Sequence, residues 1–92
     1  MPRVELTRHL YQFFPDLEGE QIEVAGATVA EVLAALEERA PGIGFYVCDE
    51  RGRIRQHVNV FVGTERVQDR TTLTDPVPPG AAVHIIQALS GG

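Results

Sequence analysis

A chain of 92 residues, 43% of them apolar, is long enough for one compact domain with a modest core and too short for two. A net charge of −5 argues against nucleic acid as a partner, since phosphate contacts need clustered Lys or Arg. One cysteine, Cys48, excludes an internal disulfide and any Cys-rich metal or iron–sulfur site, and no stretch nears the ~18 consecutive apolar residues of a membrane span.

The N-terminus, Met1-Pro2-Arg3-Val4-Glu5-Leu6, passes directly into alternating polar and apolar residues. A signal peptide would show a basic start and a continuous apolar run, so the expected location is the cytoplasm. Val4 to Thr7 alternates with period two and predicts a half-buried strand. Tyr11 to Glu20, with Phe13-Phe14-Pro15-Asp16 and Gly19, reads as a loop carrying its own hydrophobic anchors. Gln21 to Val24 alternates again, giving a second strand that pairs with the first as a hairpin with a long connection.

The period then changes. Val29, Val32, Leu33, Leu36 and Ala40 follow the spacing of one helical face. Thr28 precedes them with Glu31 three residues on, the spacing at which the two side chains of a capping box satisfy backbone N–H groups reciprocally. Pro41-Gly42 ends the helix, because proline disfavours helical geometry in the residue before it.

Gly42 to Gln56 resists assignment, apart from a polar turn at Asp49-Glu50-Arg51-Gly52-Arg53. His57 to Val62 is a strand with Val58, Val60 and Val62 on one face and His57, Asn59 and Phe61 on the other. Gly63-Thr64-Glu65 supplies a turn, and Arg66-Val67 a brief edge strand. Three prolines among Pro76, Pro78 and Pro79 keep the segment from Asp75 to Gly80 irregular. Ala82 to Ala88 is the last strand, with Val83 and Ile85 on one face and His84, Ile86 and Ala88 on the other.

One amphipathic helix against a mixed sheet of four to five strands is an α+β two-layer arrangement, and a ubiquitin-like β-grasp is its economical form. The inward valines and Ile85 are expected to meet Val29, Val32, Leu33 and Leu36. Residues 1–88 make the domain, and residues 89–92 a flexible tail ending Leu89-Ser90-Gly91-Gly92.

With that order of elements, Val58-Asn59-Val60-Phe61-Val62-Gly63, Asp75 with Gly80 and Val83-His84-Ile85-Ile86, and the final Gly91-Gly92, the chain resembles the ThiS/MoaD family of ubiquitin-like sulfur carriers. The resemblance implies a carrier rather than an enzyme. A partner of the ubiquitin-activating type uses ATP to adenylate the Gly92 carboxylate. Sulfur then replaces AMP, and the Gly92 thiocarboxylate donates it inside a second, sulfur-accepting synthase. The carrier itself holds no cofactor and no metal. A free α-carboxyl is ionised at neutral pH, with a pKa of ~3.3–3.7, and is ready to attack the α-phosphate of ATP. Gly91 and Gly92 lack Cβ atoms, so they can thread a narrow channel and leave the reacting carbonyl unhindered.

Phe61 and Ile86 should share the sheet face away from the helix, beside His57, Asn59 and His84. Read functionally, Phe61, Ile86, Asn59 and His84, with Leu89 and Ser90 of the tail, dock the activating enzyme and the acceptor; the alternative is that the Tyr11–Glu20 loop folds back and covers this patch. Isologous self-association through the same face is a further possibility. His9, His57 and His84 lack metal-ligand spacing. Cys48 reads as incidental, and Arg51, Arg53 and Arg55 as a charged hairpin edge rather than a contact for an acidic partner. All eight positive side chains are arginine. Either the genome prefers Arg codons, or a carrier with an activated C-terminus avoids acylating its own amines.

Two functions of different class follow: a sulfur carrier working through a Gly92 thiocarboxylate, and a ubiquitin-like modifier or docking module working through its sheet face. The length of the Gly42–Gln56 excursion, with Arg55-Gln56-His57-Val58-Asn59 after it, leans towards the cysteine-synthesis type or a molybdopterin-synthase small subunit.

Overall fold

The computed structural model describes residues 1–87. Its elements run β1 (Arg3–Leu6), α1 (Arg8–Tyr11), a single 3-10 turn (Pro15–Leu17), β2 (Ile22–Glu23), α2 (Val29–Arg39), α3 (Ile43–Val47), β3 (Val58–Val62), β4 (Glu65–Arg66) and β5 (Ala82–Gln87). The strands form one sheet in the order β2-β1-β5-β3-β4. β1 and β5 pair in parallel at its centre, with Val4 opposite Val83 and Leu6 opposite Ile85, and the other pairings are antiparallel. This is the β-grasp arrangement, including the expected β1–β2 hairpin.

α2 forms where its apolar spacing and its cap coincide. Thr28 Oγ1 accepts the Glu31 N–H at 3.3 Å, as a capping box requires. The Glu31 carboxylate reaches one residue further back than anticipated, accepting from Ala27 N–H at 2.8 Å. The Val29 and Ala30 N–H groups donate to the carbonyls of Asp75 and Leu73, so the loop before β5 caps the helix as well. Val29, Val32 and Leu36 are fully buried against Val4, Val58, Val60, Val83 and Ile85 in one core cluster. At roughly 1.5–3 kcal/mol for each fully buried Val or Leu, this seam holds a helix that is too short to persist alone.

Several local expectations change, among them the second strand, which is Ile22–Glu23 within the expected Gln21–Val24, and the third, which begins at Val58 and not His57. The first strand begins at Arg3 and ends at Leu6, because Thr7 turns out of it to precede α1. The Tyr11–Glu20 loop starts from the last residue of α1 and contains the 3-10 turn. Its deepest anchors are Leu17 and, just before it, Leu10, whereas Phe13 stays 48% exposed. The edge strand is Glu65–Arg66, since Val67 is drawn into the core with its N–H donating to Val60 O. Gly42–Gln56 contains α3, whose Ile43 and Val47 are buried one turn apart. Glu37 of α2 caps α3, its carboxylate accepting from Gly42 N–H at 2.7 Å and from Gly44 N–H at 2.8 Å. Beyond α3, Cys48 and Ile54 bridge across the expected Asp49–Arg53 turn. Ala88, expected to close the last strand, and the 89–92 tail lie outside the described residues.

Candidate functional site

Strand alternation places Val58, Val60, Val83 and Ile85 towards α2 and sends their neighbours to the other face. There the β3–β5 register sets Phe61 opposite His84 and Asn59 opposite Ile86. His84 in turn faces Glu5 of β1. The four sequence-selected residues Asn59, Phe61, His84 and Ile86 therefore share one patch. Ile86 is 46% exposed, while Phe61, Asn59 and His84 are half-buried.

The Tyr11–Glu20 loop is engaged elsewhere. Phe13 stacks on Tyr46 of α3 with ring centroids 4.9 Å apart and meets His9 edge-on at 5.3 Å. Phe14 packs edge-on against Tyr46 at 5.6 Å. These contacts account for the Phe13 and Phe14 rings without recourse to the sheet face. Phe45, beside Tyr46, is 73% exposed, which the sequence reading did not single out.

Polar groups rim the patch. His84 Nδ1 lies 3.4 Å from Glu5 Oε2, an exposed contact that becomes an ion pair when the imidazole is protonated. Asn59 Oδ1 accepts from Arg70 Nη1 at 3.4 Å. Arginine offers donors only, so of the two ends of the Asn59 amide, Oδ1 is the one that can face it. Arg70 also donates through Nη2 to Val58 O at 2.6 Å and to Arg55 O. Composition alone gave no signal for this role; it depends on a loop that brings position 70 beside β3.

Asp75 was read only as a marker before the last strand. Its carboxylate accepts the backbone N–H groups of Gln68 and Asp69 at 3.1 and 3.0 Å, which closes the loop between β4 and β5. Asp69 does similar work within that loop. The Thr72 hydroxyl and the Thr72 and Thr71 amides donate to it, and together they hold its carboxyl at about 2, below the ordinary 3.8. Gly80 adopts φ +79°, a conformation that glycine accepts without strain, at the turn into β5.

Thr7 governs the far end of β5. Its N–H donates to Ile85 O at 2.9 Å, and its Oγ1 donates to the same carbonyl at 3.1 Å. That Oγ1 also accepts the Gln87 N–H at 2.8 Å. Gln87 is the last described residue, five positions before Gly92, and Thr7 is bonded to it. The sequence-selected residues Leu89, Ser90, Gly91 and Gly92 lie outside the described part.

The remaining candidates have local explanations. Cys48 terminates α3, and burial, then Asp49, push its thiol above the ordinary value against the opposing pull of Arg55. Arg53 pairs with Asp49 across the turn at 3.2 Å, and Arg55 Nε donates to Phe45 O at 2.6 Å. Among the described residues no group of three or more His, Cys, Asp or Glu is placed to hold a metal ion, and no helix is long and apolar enough to cross a membrane.

A profile of the ThiS family matches residues 4–92. No curated protein sequence matches the chain. Among solved structures, a chain of the BexX/CysO complex of Amycolatopsis orientalis is similar at a TM-score of 0.84 and 26% identity, with 100% of both chains covered. CysO of Mycobacterium tuberculosis is similar at a TM-score of 0.82 and 23% identity, covering 97% of this chain and 100% of that one. SAMP1 of Haloferax volcanii follows at 0.73 and 24%, covering 99% and 98%. The last two likenesses speak to the fold alone.

Proposed function

The chain belongs to the ThiS family, and so is a ubiquitin-like sulfur carrier rather than an enzyme; we propose that its reacting group is the carboxylate of Gly92. A carboxylate oxygen attacks the α-phosphorus of ATP in the activating partner, and pyrophosphate leaves with the broken P–O bond. The acyl adenylate then accepts the terminal sulfur of a persulfide at its carbonyl carbon, and AMP departs as the C–O bond breaks. A thiol reduces the remaining S–S bond, leaving the Gly92 thiocarboxylate and a disulfide. Splitting the substitution through an activated acyl group makes each step accessible.

The observation that carries this reading is the family match, which continues beyond β5 through Gly91-Gly92. ATP belongs to the activating partner, and the sulfur is covalent cargo. Phe61, Ile86, Asn59 and His84 form the docking face, with Leu89 and Ser90 entering the partner ahead of Gly91. A second enzyme receives the sulfur, in keeping with the likeness to a complex of CysO with BexX. The likeness to a chain of the BexX/CysO complex also favours a cysteine-type pathway.

The test is the intact mass of the protein co-expressed with its ubiquitin-activating-type enzyme and a sulfur source. Replacement of one oxygen by sulfur, mapped to the peptide ending Gly91-Gly92 and lost on deletion of Gly92, is the expected result. An unmodified tail beside an active partner overturns the carrier chemistry. Isopeptide adducts in its place establish the modifier alternative.

A further inference from the structure

We propose that Thr7 is a positioning residue that anchors Gln87, the fifth residue before Gly92, and hence limits how far the reactive carboxylate reaches. The inference rests on the reading of Gly92 given above. In a parallel ladder, a strand residue that donates to the carbonyl of one partner residue accepts from the N–H two residues further on. Thr7 N–H donates to Ile85 O, so the Gln87 N–H would continue the ladder by bonding to Thr7 O. That carbonyl instead turns to the Leu10 N–H, which it accepts at 2.9 Å as the chain enters α1. The Thr7 hydroxyl stands in for its own carbonyl. It accepts from Gln87 N–H at 2.8 Å while giving its proton to Ile85 O at 3.1 Å.

One side chain thus carries the ladder a single step beyond the end of β1, and β1 offers no further main-chain partner. Both capacities of a hydroxyl are used, donor and acceptor, and valine supplies neither. On the other edge of β5, Val58 lies opposite Gln87 but gives its N–H to Arg55 O and its carbonyl to Arg70, so the bond to Gln87 N–H comes from Thr7. The five residues Ala88–Gly92 then span at most about 17 Å in extended form, at ~3.3 Å per residue. The α-phosphate bound by the activating partner must lie within that distance of the docked sheet. Releasing Gln87 leaves the docking face intact but loosens the geometry in which the carboxylate meets the phosphorus, and a misplacement of about 1 Å can cost on the order of 100-fold in rate.

The experiment compares wild type with Thr7→Val and Thr7→Ser in two measurements. Amide hydrogen exchange by NMR reads the bond directly: Gln87 exchanges at least about tenfold faster in Thr7→Val, Ile85 does not, and Thr7→Ser restores protection. ATP–pyrophosphate exchange with the activating enzyme reads positioning: Thr7→Val lowers kcat about tenfold with KM within about twofold, and Thr7→Ser recovers most of it. Unchanged Gln87 exchange in Thr7→Val overturns the latch, and altered exchange with an unchanged kcat overturns its part in positioning. A wild-type protein that is never adenylated overturns the reading of Gly92, and the positioning role falls with it.

Discussion

The guanidinium of Arg70 donates to the main-chain carbonyl of Val58 at 2.6 Å, on the edge of β3 that β4 leaves uncovered. β4 pairs only with Phe61 and Val62, and Val67 N–H serves Val60 O. Arg70 occupies the next vacancy, linking Val58 O and Arg55 O with the Asn59 side chain. A side chain thus covers an edge that would otherwise invite pairing with another chain.

Replacing Arg70 by Met removes these bonds and orphans the Val58 carbonyl, while Arg55 O keeps the Val58 N–H at 3.0 Å. At about 1.5–3 kcal/mol for hydrogen bonds from a charged donor, discounted for partial exposure, Arg70→Met should lower unfolding free energy by about 2 kcal/mol. Arg70→Lys keeps the charge but loses the planar fork, and should fall between. Urea denaturation measures both. A loss under about 0.5 kcal/mol for Arg70→Met would mean that water serves the edge as well as the guanidinium does.

Gly44 sits where the carboxylate of Glu37 must approach α3. A Cβ added there would lie 2.8 Å from Glu37 Oε1, the oxygen that accepts the Gly44 N–H. Alanine gains about 1 kcal/mol in helical propensity but drives the carboxylate off both amides. Gly44→Ala is therefore expected to destabilise the wild type by about 1 kcal/mol and to stabilise a Glu37→Ala background. The double-mutant cycle reads the sign change, and additivity of the two substitutions contradicts the cap.

Asp69 predicts a pH dependence of defined direction. Its carboxyl titrates at about 2 when folded, against an ordinary 3.8, chiefly because of the Thr72 hydroxyl and then the Thr72 and Thr71 amides. A depressed folded value contributes stability that is fully present above the unfolded pKa and disappears as pH falls through the folded one. The stability gap between wild type and Asp69→Asn should be constant from neutrality to about pH 4, and should close as pH approaches about 2. A gap independent of pH across that range contradicts the assignment.

Legibility in the sequence followed the range of the interactions. α2 was readable because its period, its Thr28 cap and Pro41 all lie within a few residues of one another. The alternation of Val58 to Val62 and of Val83 to Ile86 likewise placed Asn59, Phe61, His84 and Ile86 on one face before the register was known. α3 was not readable: it is five residues long, contains Gly44, and is capped by Glu37 from another helix. The roles of Thr7 and Arg70 were equally hidden, because they join positions 78–80 and 11–15 residues apart. Phe13 and Phe14 looked able to fold over the sheet, and only the position of Tyr46 shows where their rings go.

Ile85 and Ile86 are adjacent in sequence and opposite in consequence, which gives a test of the docking face. Ile85 is fully buried against α2, so Ile85→Ala should cost about 2–5 kcal/mol of stability through lost packing and a cavity. Ile86 lies on the outer face at 46% exposure, so Ile86→Ser should cost no more than about 1 kcal/mol, the range of strand propensity. Binding should rank them the other way. An apolar anchor at the centre of an interface contributes about 2 kcal/mol or more, so Ile86→Ser is expected to weaken affinity for the activating enzyme by about 30-fold. Calorimetric titration measures this on the intact chain with Gly91-Gly92 unaltered, which separates docking from tail chemistry. An Ile86→Ser protein that binds within about twofold of wild type would move the contact off this face. Phe45 of α3, at 73% exposure, would then be the next apolar side chain to replace.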